Sequence, residues 1–231
     1  MFSMSLSGKK IWIDIEQPKT AIMFNSLIKK FEDEGSELLI TARNYDSTYL
    51  ILDDSGITYK KIGRHGGEKL EEKLETYITR LRQLFPVVTK FFPDYFVTFL
   101  SVEGTRIAYG LQIPSIGIND EPRNIPVCKL IHPFINNIIT PECIPKEWYV
   151  KLYADPEKII RYNGLDEIAW LSQYMPNPSI LKKFDLEKGK YLVIRTEPTH
   201  ASYFIDKLKP EETMISQFIP PIFKEFPNHK Y

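Results

Sequence analysis

The chain has 231 residues, 30 Lys+Arg against 30 Asp+Glu, no formal net charge and 43% apolar residues. Its 14 Phe, 13 Tyr and 3 Trp give a core much to bury, which excludes a disordered chain, and balanced charge argues against nucleic-acid binding through counterion release. No stretch reaches the ~18 uncharged apolar residues of a membrane helix and the start lacks a signal-peptide apolar region, so a cytoplasmic protein without a membrane span is expected.

Residues 10–15 (KIWIDI) read as an apolar strand ended by Glu16-Gln17-Pro18. Pro18 suits a helix start, where its missing N–H costs nothing, and Phe24, Leu27, Ile28 and Phe31 then recur on one helical stripe. Gly35 stands where a left-handed cap ends a helix. Residues 37–41 (ELLIT) form a second strand, Asp46 caps a short helix closed by Gly56, and residues 57–62 (ITYKKI) form a third strand. The glycine-dense loop Gly63-Arg64-His65-Gly66-Gly67 leads into a long helix, with Leu70, Leu74, Tyr77, Ile78 and Leu81 on one face and Pro86 kinking or dividing it. Residues 95–100 (YFVTFL) suit a central strand covered on both faces. Residues 103–111 read as a helix, and strands follow at 114–118 and 137–140.

Strands alternating with helices predict an α/β fold: a Rossmann-like parallel sheet wound by helices on both faces, with right-handed crossovers. The expected boundaries are a Rossmann-like domain over residues 1–145, a linker with short helices over 146–185, including one at 165–171, and the start of a second domain over 186–231. In that last part, residues 191–195 (YLVIR) read as a strand and 211–226 as a helix interrupted at Pro220-Pro221. One strand and one helix cannot form a core alone, so the reading favours a truncated second domain.

Cys128 and Cys143 read as reduced apolar residues, and none of His65, His132, His200 and His229 lies three or four residues from another. No metal and no cofactor is expected. In an open parallel sheet, ligands bind beyond the carboxyl ends of the strands, where strand order reverses. The loops there are Asp14-Ile15-Glu16-Gln17, residues 63–67, Ser101-Val102-Glu103-Gly104-Thr105-Arg106, Asn119-Asp120-Glu121-Pro122-Arg123 and the loop after Arg195. Glu103 is either an acid–base group in a cleft or a first-turn acid that caps its helix. Asp120 and Glu121 are either partner acids flanking a sugar carbon or a plain turn. Residues 63–67 are either a backbone nest for phosphate or a mobile turn. Neither a G-x-G-x-x-G after the first strand nor a G-x-x-x-x-G-K-[ST] is present, which disfavours a nicotinamide or ATP protein.

Residues 10–43 (KIWIDIEQPKTAIMFNSLIKKFEDEGSELLITAR), IGRHGG, SVEGTRIAYGLQIPSIGINDEP, IITPE, YNGLDEIAWL and VIRTEPTHASYF resemble an archaeal family of unassigned function. That family is related to non-hydrolysing UDP-N-acetylglucosamine 2-epimerases and to glycosyltransferases of the GT-B fold. The resemblance implies two Rossmann-like domains facing a cleft, with carboxylates of the first acting on the sugar ring and the nucleotide held mainly by the second. It places Glu103, Asp120 and Glu121 as catalytic acids. Together with strand-end position it makes Glu16, Arg64, His65, Gly66, Gly67, Arg106 and Arg195 substrate-binding residues. The turn after the first strand, histidine-bearing in much of the family, here reads Gln17-Pro18-Lys19-Thr20. The partner implied is a nucleotide sugar such as UDP-N-acetylglucosamine, with an epimerase or glycosyltransferase reaction, no nucleic acid, and self-association left open. The alternative is a degenerate relative that serves as a binding or assembly module.

Overall fold

The computed structural model describes residues 5–67, 69–172, 174–195 and 213–231. Contacts divide the chain into two compact units, Met1–Gln173 and Tyr174–Tyr231.

The first unit is built on seven parallel strands: β1 (Lys10–Ile15), β2 (Glu37–Asn44), β3 (Lys60–Arg64), β4 (Tyr95–Thr98), β5 (Ser115–Ile118), β6 (Asn137–Pro141) and β7 (Ile159–Tyr162). Their order is β3-β2-β1-β4-β5-β6-β7, and every pairing is parallel. The chain runs outward from β1 to β3, then crosses back to lay β4 on the other side of β1. The switch point therefore falls between β1 and β4. Five strands occupy the segments expected for them, and β3 is displaced: it begins at Lys60 instead of Ile57 and takes in Gly63 and Arg64 of the expected loop. The seventh, residues 159–162 (IIRY), lies in the stretch read as linker. It is an edge strand, too short and too polar on its outer side to stand out as periodic.

Strand alternation sorts the core into two layers. Ile11, Ile13 and Ile15 point to the face covered by α1 (Pro18–Asp33) and α2 (Thr48–Asp54). Trp12 and Phe96, with ring centroids 4.3 Å apart, point to the face covered by α3 (Leu70–Phe91) and α4 (Val102–Gly110). Two further helices, α5 (Ile125–Ile131) and α6 (Lys146–Val150), flank β6, and α7 (Ile168–Leu171) packs on α1.

Asp14 shares the face of Trp12, so β1 carries a buried acid toward α3. Arg80, in the middle of α3, meets it with two hydrogen bonds of 3.0 and 2.7 Å. Its Nε donates to the Ile62 carbonyl of β3 at 3.0 Å, and Glu103 of α4 lies 3.4 Å from the Nη1 that also bonds Asp14. The hydroxyls of Thr41 (β2) and Ser101 also donate to Asp14. Burial works against the charge on Arg80, but the carboxylates of Asp14 and Glu103 outweigh it and hold its pKa above the ordinary value. The Arg80 side chain crosses Gly63, where a β-carbon would stand 2.7 Å from it and where φ is +78°. That close approach, together with the left-handed backbone, is why β3 carries glycine there.

Three expected local features differ. Asp46 takes a positive φ of 48° instead of capping α2, whose N-cap position is held by Ser47. Pro86 does not divide α3, which runs unbroken for 22 residues. Pro86 and Arg82 are both exposed, so water can satisfy the carbonyl that loses its helical donor. The expected inner face of α3 is also displaced: Arg80, Leu84 and Val88 are buried, while Leu70, Leu74 and Ile78 face solvent.

The second unit holds α8 (Ile180–Lys183) and α9 (Met214–Glu225). Helix α9 passes through Pro220 and Pro221 without a break. The segment 191–195 is not a strand: Tyr191 alone makes one parallel bridge, to Lys230. The loop expected at 196–198, His200 and residues 211–212 of the expected helix lie outside the described residues.

Removing one partner of a buried ion pair strands the other charge. Arg80→Ala is expected to destabilise the first unit by about 3–5 kcal/mol, read as a shift of the urea midpoint. Arg80→Lys is expected to recover little, because an ammonium cannot make the forked contact.

Candidate functional site

The carboxyl ends of the parallel strands form one rim. Both Glu103, after β4, and Asp120, after β5, lie on that edge, and the two strands are direct neighbours. The rim has an acidic arc and a basic one.

The acidic arc centres on Lys19. Pro18 starts α1 directly behind β1, which projects Lys19 from the first turn over the Phe99 ring at 4.8 Å. Its ammonium pairs with Asp120 and lies 3.5 Å from Asp166. The loop bearing Asp120 is pinned on both sides. Tyr149 donates to the Asn119 carbonyl at 2.8 Å, and the Asn119 side chain accepts from the Glu121 amide at 2.7 Å. Asn119 also donates to Nε2 of His132 at 2.9 Å. Burial pushes the His132 pKa down to about 4, which keeps the ring a neutral acceptor. Asp166 is nearly inaccessible, takes a hydrogen bond from Tyr162 and has its pKa raised, first by burial and then by the neighbouring Asp120 charge.

Glu16 sits beneath the same turn. Its Oε1 accepts from Thr20 at 2.8 Å, and its Oε2 is buried without a hydrogen-bond partner. Arg43 binds the Glu16 backbone carbonyl at 2.8 Å and leaves the carboxyl without a direct cation. Burial therefore lifts the Glu16 pKa to about 7.

The basic arc lies at the ends of β2 and β3. His65 stacks on Tyr45 with centroids 4.3 Å apart, and the Arg43 guanidinium lies 5.9 Å from the same tyrosine ring. Burial, Arg43 and Lys73 lower the His65 pKa. The Gly67 amide donates to its Nδ1 at 3.1 Å, which assigns the ring proton to Nε2. Gly66 is required by packing, since a β-carbon there would lie 2.6 Å from the Lys73 backbone at the start of α3.

The other expected residues fall in different places. Arg64 is exposed at the end of β3. Glu103 is buried in its ion pair with Arg80. Glu121 is held by a forked contact from Arg123, at 2.7 and 2.6 Å. Arg106 lies over Phe134, 5.6 Å from the ring and just ahead of β6, away from the carboxyl-end rim. Arg195 is exposed in the second unit. Sequence reasoning missed Arg80, Arg43, Lys19 and Asp166 as site components. Asp14 inside KIWIDI was the available signal for Arg80, because a buried acid demands a partner.

A parallel sheet with helices on both faces and polar groups gathered beyond its switch point defines a Rossmann-like unit, the N-terminal domain type of the GT-B fold. Residues 9–222 match the family described as "Protein of unknown function (DUF354)", and the chain belongs to that family. Its relative in Methanocaldococcus jannaschii, "Uncharacterized protein MJ0665", is 30% identical over 198 residues, which span 84% of this chain and 57% of that protein. Among solved structures, the UDP-N-acetylglucosamine 2-epimerase from Rickettsia bellii superposes with a TM-score of 0.62 at 16% identity, over 80% of this chain and 53% of that one. The UDP-GlcNAc 2-epimerase from Neisseria meningitidis, bound to UDP-GlcNAc, gives 0.59 at 14% identity, over 95% and 63%. The chain thus spans little more than half the length of these relatives. At such identities the likeness is one of fold. Among the described residues, no helix is long and apolar enough to cross a membrane.

Two outcomes test the electrostatics of the site. Glu16 binds its proton more tightly folded than unfolded, so its favourable contribution is full below about pH 4.5 and lost as pH rises through about 7. Glu16→Gln is therefore expected to stabilise the protein at pH 8, by on the order of 3 kcal/mol at most, and to be neutral near pH 4, as read from thermal melts across pH. Lys19→Ala leaves Asp120 and Asp166 facing each other uncompensated. Its loss of stability is expected to be about 1–2 kcal/mol at pH 8 and to shrink at pH 5, where one of the pair takes up a proton.

Proposed function

We propose that this protein binds a nucleotide-activated sugar, such as UDP-N-acetylglucosamine, on the carboxyl-end rim and acts on it as an epimerase or glycosyltransferase of the GT-B type. The observation that carries the reading is the convergence of Lys19, Asp120 and Asp166 beside the switch point. Moving a proton at a sugar carbon needs a base and an acid held close together. Asp166, with its raised proton affinity, suits the protonated role, and Asp120, paired with Lys19, suits the charged one. Arg43 and His65 on the other arc offer donors to the diphosphate. Glu103 and Arg80 then act from below, as the buried support of the rim. The fold shared with epimerases, one of them holding UDP-GlcNAc, supports the same substrate class.

A second reading, a catalytically degenerate relative that serves as a binding or assembly module, draws on two observations. Glu103 is committed to Arg80 and Glu121 to Arg123, so two of the three expected acids are occupied.

Titration calorimetry with UDP-N-acetylglucosamine, UDP and a panel of other nucleotide sugars separates these readings. The first expects Asp120→Asn to weaken the nucleotide sugar about tenfold or more while leaving UDP nearly unchanged, and Arg43→Ala to weaken both. Binding without turnover under all conditions selects the second. A panel with no binder removes the first.

A further inference from the structure

Tyr162 meets the acidic arc from the edge of the sheet. It closes β7 opposite Pro141, and its carbonyl accepts from the Glu142 amide at 2.9 Å, so β6 and the residue after it fix its backbone. Its ring lies against Gly164, where an added β-carbon would stand 3.6 Å from it. The chain bends there and brings Asp166, at the turn that opens α7, back to the tyrosine four residues on. The Tyr162 hydroxyl donates to Oδ1 of Asp166, while Oδ2 lies 3.5 Å from the Lys19 ammonium. The two oxygens of one nearly inaccessible carboxyl are thereby distinguished: Oδ1 is committed to β7, and Oδ2 faces Lys19.

That distinction decides where a proton on Asp166 sits. A carboxylate oxygen and a carbonyl oxygen both accept, so the hydroxyl can donate to Oδ1 whether Asp166 is charged or neutral. A proton on Oδ1 would displace that donor, whereas one on Oδ2 leaves it in place. The groups that bear on Asp166 are Lys19 from α1, Asp120 from the loop after β5, Tyr149 from α6 and Tyr162 from β7, with Glu167 beside it in its own turn. The charges of Lys19 and Asp120 act on Asp166 in opposite directions. Tyr149 stays protonated at neutral pH, since burial raises its pKa. Of these groups, Tyr162 is the one that bonds Oδ1, and a donor to a carboxylate favours the charged form.

We propose that Tyr162 is a positioning residue which, by bonding Oδ1, holds the transferable proton of Asp166 on Oδ2, toward Lys19 and Asp120. This role rests on the nucleotide-sugar reading for the reaction that the proton serves, and on the hydrogen bond alone for where the proton sits. Carbon-13 NMR titration of the Asp166 carboxyl in the ligand-free whole chain, with the resonance assigned through Asp166→Asn, tests the bond. Tyr162→Phe keeps the ring and loses the donor, so the midpoint is expected to rise by about one pH unit. A fluorinated tyrosine at position 162, a stronger donor of the same shape, is expected to lower it. With a nucleotide sugar that is turned over, the alkaline limb of kcat is expected to move up by the same amount in Tyr162→Phe with KM unchanged, because the protonated carboxyl is the acting form. A midpoint that moves in neither variant overturns the proposal, whether or not any nucleotide sugar binds. A midpoint that moves while the kcat limb stays in place overturns it too, because the proton on Asp166 is then not the one transferred. A panel without a binder removes the nucleotide-sugar reading and leaves the titration to decide the place of the proton.

Discussion

The forked contact between Arg80 and Asp14 holds together the part of the molecule on which everything else rests. Asp14 stands one residue before the end of β1, in a place closed to water. A carboxylate there is tolerable only with a cation and hydrogen-bond donors around it. Arg80 supplies the cation, and Thr41 and Ser101 supply donors. Because these partners come from β2, from α3 and from the start of α4, satisfying one acid ties the two sides of the switch point together. The same guanidinium engages Glu103 and the backbone of β3. The interaction gains little stability over a well-packed apolar core, but any register in which Asp14 lacks these partners is heavily penalised. It therefore specifies how α3 lies across the sheet.

Above that layer, the rim separates charge. Carboxylates and a lysine collect at the ends of β1, β5 and β7, and arginine, histidine and tyrosine collect at the ends of β2 and β3. Two carboxyl groups there have proton affinities moved toward neutrality by burial, Glu16 and Asp166. Perturbed carboxyls beside a switch point are the usual setting of proton transfer. The fold alone does not name a reaction, since Rossmann-like units host many chemistries. The chemistry has to be argued from these side chains.

Helix α3 carries more apolar surface than the sheet buries. The core takes the side bearing Leu84 and Val88, where Arg80 can also reach Asp14. Leu70, Leu74 and Ile78 are left on the outside. Hydrophobic periodicity says that a helix has an apolar stripe, without saying which partner covers it.

Much of the architecture could be read from the chain. Alternating apolar strands and periodic helices are local patterns, and six of the seven strands, the parallel class and the strand-end loops followed from them. The seventh strand escaped because a four-residue edge strand carries almost no periodic signal. The positions of Glu16 and Asp120 at strand ends were legible for the same local reason. The long-range pairings were not, because Lys19 lies 101 residues from Asp120 and 147 from Asp166, and Arg80 lies 66 from Asp14. Local residue order determined which segments became strands and helices, since propensity and periodicity act over a few residues. Only the tertiary fold decided which charges meet, which carboxyls lose their water and which face of α3 stays bare, because burial and Coulomb interaction depend on distance in space.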